Sequence, residues 1–321
     1  MKKIFKSNKL FGFILILLCL ILLSNPSVYG SACLKGVSVW AINVFPMLFP
    51  FFILTKLIVS MQSNKVSILD KFFSKVYHSP TCSLKTFLLS IIAGYPMGAK
   101  LICSLYESKQ ININQAKSMM SFCSVSGPMF MIGTVGVAFL CSIKSGIIIL
   151  VSNIIASLLN GLIFRPKIQE ESKEIMVKSS DVVLSDIVQD SLMSILMVGA
   201  FIALSFVFLE ILNQMKILET LSILLCKIKF LNLNQDTIVS FLSGIVEITN
   251  GISILSKIDV SIKIKTILSS TLVAFSGLSI MMQSLSFLSK LKMKFSDMFK
   301  QKFCQACICC VVSIVLSLIF F

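Results

Sequence analysis

Four stretches of this chain carry residues able to bind or move a solute, and each interrupts strongly apolar sequence. The first reads Gly94-Tyr95-Pro96-Met97-Gly98-Ala99-Lys100 and the second Ser124-Val125-Ser126-Gly127-Pro128. The third is Gly244-Ile245-Val246-Glu247-Ile248-Thr249-Asn250-Gly251, and the fourth is Ser276-Gly277-Leu278-Ser279, followed by Gln283. A carboxylate between Val246 and Ile248 is costly in lipid, so Glu247 is a functional candidate. It can take a proton, coordinate a coupling cation, accept hydrogen bonds from substrate, or form a salt bridge to Lys100. Thr249 and Asn250 add polar valence. Lys100 adds a full charge just past the first break, where it faces a substrate, snorkels, or pairs with Glu107. Ser124, Ser126, Ser276 and Ser279 supply hydroxyls, and Gln283 is either a pore-lining amide or helix glue. The chemistry on offer is binding by freed backbone and polar side chains. A half-helix that restarts after Gly94, Pro96 and Gly98 presents N–H donors and a positive dipole end to a carboxylate. The first stretch lacks the GxxxxGK[ST] pattern of a phosphate loop.

The elements that must position these residues follow from composition. The chain has 321 residues, 56% of them hydrophobic and 13% charged. Its mean hydropathy is +0.95. A soluble domain of that composition would expose large apolar patches, so the reading is an all-α polytopic membrane protein embedded in a lipid bilayer. The net charge of +15 sits in short breaks between apolar runs, which fits membrane topology and not nucleic-acid binding. Eleven cysteines are scattered through apolar sequence, and Cys304-Gln305-Ala306-Cys307 has no second CxxC to complete a zinc set. No metal set or nucleophile–base pair stands out, so the chain does not read as an enzyme and needs no cofactor beyond H+ or Na+ coupling.

The glycines are in register. Gly94 and Gly127 are separated by 33 positions, as are Gly244 and Gly277, and the pairs are offset by 150 (244 − 94). This predicts an internal repeat of broken helices around a central site, the sequence pointer to a transporter core. The apolar segments are 10–23, 37–59, 86–105, 118–140, 145–164, 191–212, 218–231, 238–255, 266–288 and 303–321. If 86–105 and 238–255 are re-entrant hairpins, the Lys-rich breaks at 2–9, 65–85, 165–178 and 290–302 all face the cytoplasm. Seven spans and two hairpins result, with 218–231 on the outer surface and Lys216, Lys227, Lys229, Lys257, Lys263 and Lys265 outside. From Thr86 to Gly94 is a half-helix of about 12 Å, enough to approach the midplane. The division expected is an uncleaved N-terminal membrane helix over 1–32, a first repeat over 33–164, a cytoplasmic linker over 165–190 and a second repeat over 191–321. A cleaved signal peptide is the alternative for 1–32, given Lys2, Lys3, Lys6 and Lys9 before the apolar run.

The strings Gly94-Tyr95-Pro96-Met97-Gly98-Ala99-Lys100, Ser126-Gly127-Pro128-Met129-Phe130-Met131-Ile132-Gly133-Thr134-Val135-Gly136 and Glu247-Ile248-Thr249-Asn250-Gly251 closely resemble the YlbJ family of sporulation integral membrane proteins. The resemblance runs from about Val37 onward. It implies duplicated gate, or nucleoside-recognition, domains and an inverted repeat like the core of concentrative nucleoside transporters. It further implies a transporter for endospore formation that exports dipicolinic acid from the mother cell across the membrane surrounding the forespore. Dipicolinate is a planar aromatic dianion. Half-helix N-termini, Lys100 and the serines would suit its carboxylates, and Tyr95 or Phe130 its ring. Glu247 would repel a dianion, so coupling or gating fits it better. Family members tend to carry asparagines where Ser124-Val125 stand, which implies altered affinity or specificity here. Two other readings stand: a nucleoside or other metabolite carrier with the same gate fold, and a non-transporting sporulation scaffold. A homo-oligomer is compatible with all three.

Overall fold

The computed structural model describes residues 9–60, 66–167, 184–227, 234–291 and 293–321. Among them there is no strand. The chain begins with α1 (Lys9–Ser24) and α2 (Pro26–Val39), separated at Asn25, with Pro26 at the first turn, where its missing N–H costs nothing. A π-helical segment, Trp40–Val44, leads into α3 (Phe45–Ser60). Then come α4 (Ile68–Tyr77), α5 (Ser83–Ala93), α6 (Met97–Glu107) and α7 (Ile113–Cys123). A second π-helical segment, Met129–Phe139, precedes α8 (Ile143–Ile163). The second half holds α9 (Leu184–Gln214), α10 (Ile217–Cys226), α11 (Gln235–Val246), α12 (Ile248–Lys257), α13 (Ile262–Phe275), α14 (Gly277–Phe287) and α15 (Phe295–Phe320).

Among the described residues, five helical stretches are long and apolar enough to cross a membrane: Pro26–Ile58, Ile143–Ile163, Leu184–Gln214, Ile262–Phe287 and Phe295–Phe320. The molecule is an all-α polytopic membrane protein. Two of the seven expected spans fall short of that length. α1 has 16 residues, and the 118–140 segment is split by irregular backbone at 124–127 into α7 and the 11-residue π segment. The N-terminal helix also ends sooner than expected. Tyr29 and Ala32 are buried residues of α2, which packs along α9. There a Cβ on Gly36 would come within 2.8 Å of the Ala203 Cα, and the Trp40 indole N–H donates to the Ile195 carbonyl at 3.1 Å. Of the linker, residues 184–190 already belong to α9. Glu170, Glu171, Lys173, Glu174, Lys178 and Asp181 lie outside the described residues, as does 228–233.

The order of elements recurs. α4 and α10 open at Ile68 and Ile217 (217 − 68 = 149), and α6 and α12 open at Met97 and Ile248 (248 − 97 = 151). Each half thus runs through a short amphipathic helix, a helical hairpin, a helix broken near its middle and a long apolar helix. α4 shows how the short helix is fixed. Ser67 Oγ accepts the Asp70 N–H at 3.1 Å, while the Asp70 carboxylate accepts the Ser67 N–H at 2.8 Å, a capping box. Its outward residues Ile68, Leu69 and Phe72 are exposed apolar side chains, as a helix lying on a bilayer requires. The long helices α8 and α15 pack on α13 through small and hydroxyl residues. Thr266 Oγ1 donates to Ser145 Oγ at 2.8 Å, and Cys309 Sγ donates to the Ser270 carbonyl at 3.4 Å. Lipid tails are as apolar as leucine, so such helices associate by close contact and buried hydrogen bonds.

Candidate functional site

The four breaks come together in pairs. α5 ends at Gly94, whose φ of +73° lies in the region that favours glycine, and the chain turns through Tyr95 and Pro96 into α6. That turn rests on the second break: a Cβ on Gly94 would stand 2.5 Å from the Gly127 nitrogen and 2.9 Å from its Cα. Gly98 abuts the same stretch, because its Cβ would lie 2.1 Å from the Cys123 carbonyl oxygen. Ser124, Ser126 and Gly127 are buried beneath this contact, and Pro128 begins the helix that follows. In the second half, Ser276 and Gly277 have φ of +70° and +63° and separate α13 from α14. A Cβ on Gly277 would meet the Gly244 and Val246 carbonyl oxygens at 3.3 and 3.4 Å.

The third break differs from expectation. Gly244 does not open the helix; it stays inside α11, and the chain turns at one extended residue, Glu247 (φ −142°, ψ 116°). Gly251 is needed for closeness, since a Cβ on it would sit 2.3 Å from the Gly244 Cα where α12 returns along α11, whereas a Cβ on Gly244 itself would meet the Leu272 side chain at 2.5 Å. Glu247 is 2% exposed and caps α12 with its own side chain. Its carboxylate accepts the Asn250 N–H at 2.7 Å and the Thr249 hydroxyl at 3.0 Å. A negative charge is favoured at that dipole end. Among the described residues no cation lies within ion-pair distance of it, so the salt bridge to Lys100 is not formed. Beyond the cap, Thr249 and Asn250 face a cleft of about 540 Å³ against α2 and the first π segment, where Ser31, Lys35, Ser38 and Asn43 add polar groups.

Lys100 turns toward α9. Its Nζ donates to Ser194 Oγ at 2.8 Å, near the Lys56–Asp190 ion pair (2.8 Å). Ser279 Oγ donates to the Phe201 carbonyl at 3.4 Å, and Gln283 Nε2 donates to Ser279 Oγ at 3.5 Å, so this pair ties α14 to α9. The cation at the breaks is one that the charge pattern assigns to a cytoplasmic lysine cluster. Lys302 is 2% exposed, on α15. Its Nζ donates to the Tyr95 hydroxyl at 2.8 Å, to Gln305 Oε1 at 2.9 Å and to the Ser124 carbonyl. The ammonium also stands 4.8 Å from the Tyr95 ring centroid, and the Tyr95 hydroxyl donates to the Val273 carbonyl at 3.4 Å. Tyr95 thus bridges the first hairpin, α13 and α15. The one available sequence signal was the i, i+3 pair Lys302 and Gln305, which shares a helix face. Cys304, Cys307, Cys309 and Cys310 are free on α15, and among the described residues no group of three or more His, Cys, Asp or Glu side chains could hold a metal.

Fold and breaks define the class: a polytopic membrane protein whose buried helix interruptions carry polar and charged side chains. Comparison with known proteins narrows it. The chain is 28% identical over 310 residues to the sporulation integral membrane protein YlbJ of Bacillus subtilis (strain 168), covering 88% of this chain and 76% of that protein. The likeness to that protein thus extends over most of this chain. No protein-family model matches the chain. No solved structure matches it.

Proposed function

We propose that this chain is a transporter of small carboxylate anions acting in endospore formation, with dipicolinate as substrate and export from the mother cell across the membrane around the forespore as its task. The observation that carries the reading is the pairing of breaks. Gly94 rests on Gly127, Gly277 meets Gly244 and Val246, and Lys302 and Glu247 are buried beside them. Non-helical backbone and charge at such depth persist where they are enclosed by protein or line a solute path. The name of the Bacillus subtilis relative supports the sporulation role, and the gate architecture is what the resemblance of the motif strings implies. In this reading 33–164 and 191–321 are gate repeats of opposite orientation, joined by the 165–190 linker. They alternate access by rocking hairpins against the frame of α8, α13 and α15, with no covalent step. Thr249, Asn250 and the serines contact substrate. Glu247 serves H+ or Na+ coupling, because releasing its cap on α12 changes the hairpin it holds.

The test is dipicolinate efflux from dipicolinate-producing cells that express the chain, beside Glu247→Gln and Lys100→Ala. Glu247→Gln keeps an oxygen acceptor for the α12 cap and removes the charge. Its expected outcome is normal membrane insertion with efflux reduced at least tenfold. Wild-type efflux that survives both substitutions unchanged would overturn the coupling role. Correct insertion with no efflux, partner proteins supplied, would favour the scaffold reading.

A further inference from the structure

Lys302 is a basic side chain enclosed by the fold, and among the described residues no carboxylate lies within ion-pair distance of it. Desolvating an ammonium is costly unless its donors are satisfied and a counter-charge is near. The donors are satisfied: three N–H groups meet Tyr95, Gln305 and the Ser124 carbonyl. No counter-charge stands within ion-pair distance among the described residues. Two of the residues that hold the ammonium also carry a buried polar atom without a partner, Ser124 Oγ and Gln305 Nε2. Ser124 is 3% exposed and Gln305 0%. An amide NH2 only donates, a hydroxyl can donate, and an ammonium only donates. The unused valence around Lys302 therefore suits an acceptor-rich anion and rejects a metal cation.

We infer that Lys302, Gln305 and Ser124 form a carboxylate-binding site for the transported anion. This site rests on the transporter reading and refines it, because it moves the main charge contact from Lys100 to α15. Its location is informative. Lys302 touches the first hairpin through Tyr95 and the second break through Ser124. A carboxylate taking up one or two of its N–H donors would compete with those contacts. Binding would then loosen both breaks of the first half from α15 at once. The same lysine that closes the empty protein would thereby recognise the solute that opens it.

The test is equilibrium binding to the purified full-length chain in lipid nanodiscs, using radiolabelled dipicolinate, benzoate and succinate as probes. It compares wild type with Lys302→Met, Lys302→Arg and Ser124→Ala, and the melting temperature of each variant is recorded. Ser124→Ala keeps every hydrogen bond of Lys302, because the serine contributes its backbone carbonyl to that lysine. It therefore remains informative if Lys302→Met does not fold. The expected result is carboxylate binding weakened at least tenfold by Lys302→Met, within a few-fold of wild type in Lys302→Arg, and weakened two- to tenfold by Ser124→Ala without a drop in melting temperature. Wild-type affinity in a folded Lys302→Met chain, or in Ser124→Ala where Lys302→Met is unfolded, would overturn the site and leave the transporter reading standing. Lys302-dependent binding of benzoate or succinate, with none of dipicolinate, would support the site and remove dipicolinate as substrate. No binding of any carboxylate by wild type would overturn both.

Discussion

Replacing Gly94 by alanine puts the contact between the first two breaks to a quantitative test. Two costs add. The backbone at φ +73° and ψ −167° is one that side chains rarely adopt, worth about 1–3 kcal/mol. The new Cβ would then stand 2.5 Å from the Gly127 nitrogen and 2.9 Å from its Cα, both backbone atoms that cannot rotate away. Overpacking of that kind costs about 1–3 kcal/mol more. The sum, about 2–6 kcal/mol, is a large share of the 5–15 kcal/mol typical of a folded chain. Gly127→Ala, on the other side of the same contact, behaves differently: its Cβ would meet Gly94 at 3.4 Å, an ordinary contact, for a cost below about 1 kcal/mol. Gly277→Ala falls between, since φ is +63° but the nearest atom, at 3.2 Å, belongs to the flexible Ile248 side chain. Melting of the detergent-purified proteins should rank wild type, Gly127→Ala, Gly277→Ala and Gly94→Ala in falling order. A Gly94→Ala chain that melts with or above Gly127→Ala would refute the proposed contact between the breaks.

Three further outcomes follow from the same geometry. In the Gly133-Thr134-Val135-Gly136 string, Gly133→Ala should leave melting unchanged, because its Cβ meets nothing nearer than Met129 Cε at 3.9 Å; Gly136→Ala, facing the Gly146 Cα at 2.5 Å, should cost about 1–3 kcal/mol. Asn112→Ala removes a side-chain oxygen that accepts the Asn114 and Gln115 N–H groups at 2.9 Å. It should lower stability by about 0.5–2 kcal/mol and make amide exchange faster in the first turn of α7. Asp190→Asn breaks the 2.8 Å contact to Lys56, but Asp190 is 69% exposed. The change in melting should amount to less than about 1 kcal/mol and shrink further in high salt.

What the sequence made legible were the features with a local cause. Gly94 and Gly277 mark breaks because their positive φ is a backbone requirement that residue type reveals. The 150-residue register of glycines reappears as the recurring order of helices. Glu247 stands out because a carboxylate among apolar neighbours is improbable without a role, and it is indeed buried. Where the cause was tertiary, reading by residue type went astray. Gly244 looked like a hinge and is a contact surface for Gly251. Lys302 follows Lys290, Lys294 and Lys300 and so resembled one more lysine at the membrane edge, although it closes the first half of the molecule from 207 positions away. Lys35 and Asn43 carry no sequence signal because neither sits at a break; only the packing of α2 brings them to the cleft beside Asn250. The start of α2 was hidden because Asn25-Pro26 lies within what reads as a signal-like tail.

The reach of Lys302 also orders the making of this protein. During synthesis the first hairpin leaves the ribosome long before α15 does, and its two 11-residue helices are each too short to be held by a bilayer as spans. Tyr95 and the Ser124 carbonyl must wait for a donor encoded 207 and 178 residues later. Until then those two groups lack the partner they have in the folded chain. Insertion of the final long helix is therefore the step that completes the first half of the molecule, and a nascent chain stalled before residue 302 would carry the hairpin motif without a finished site.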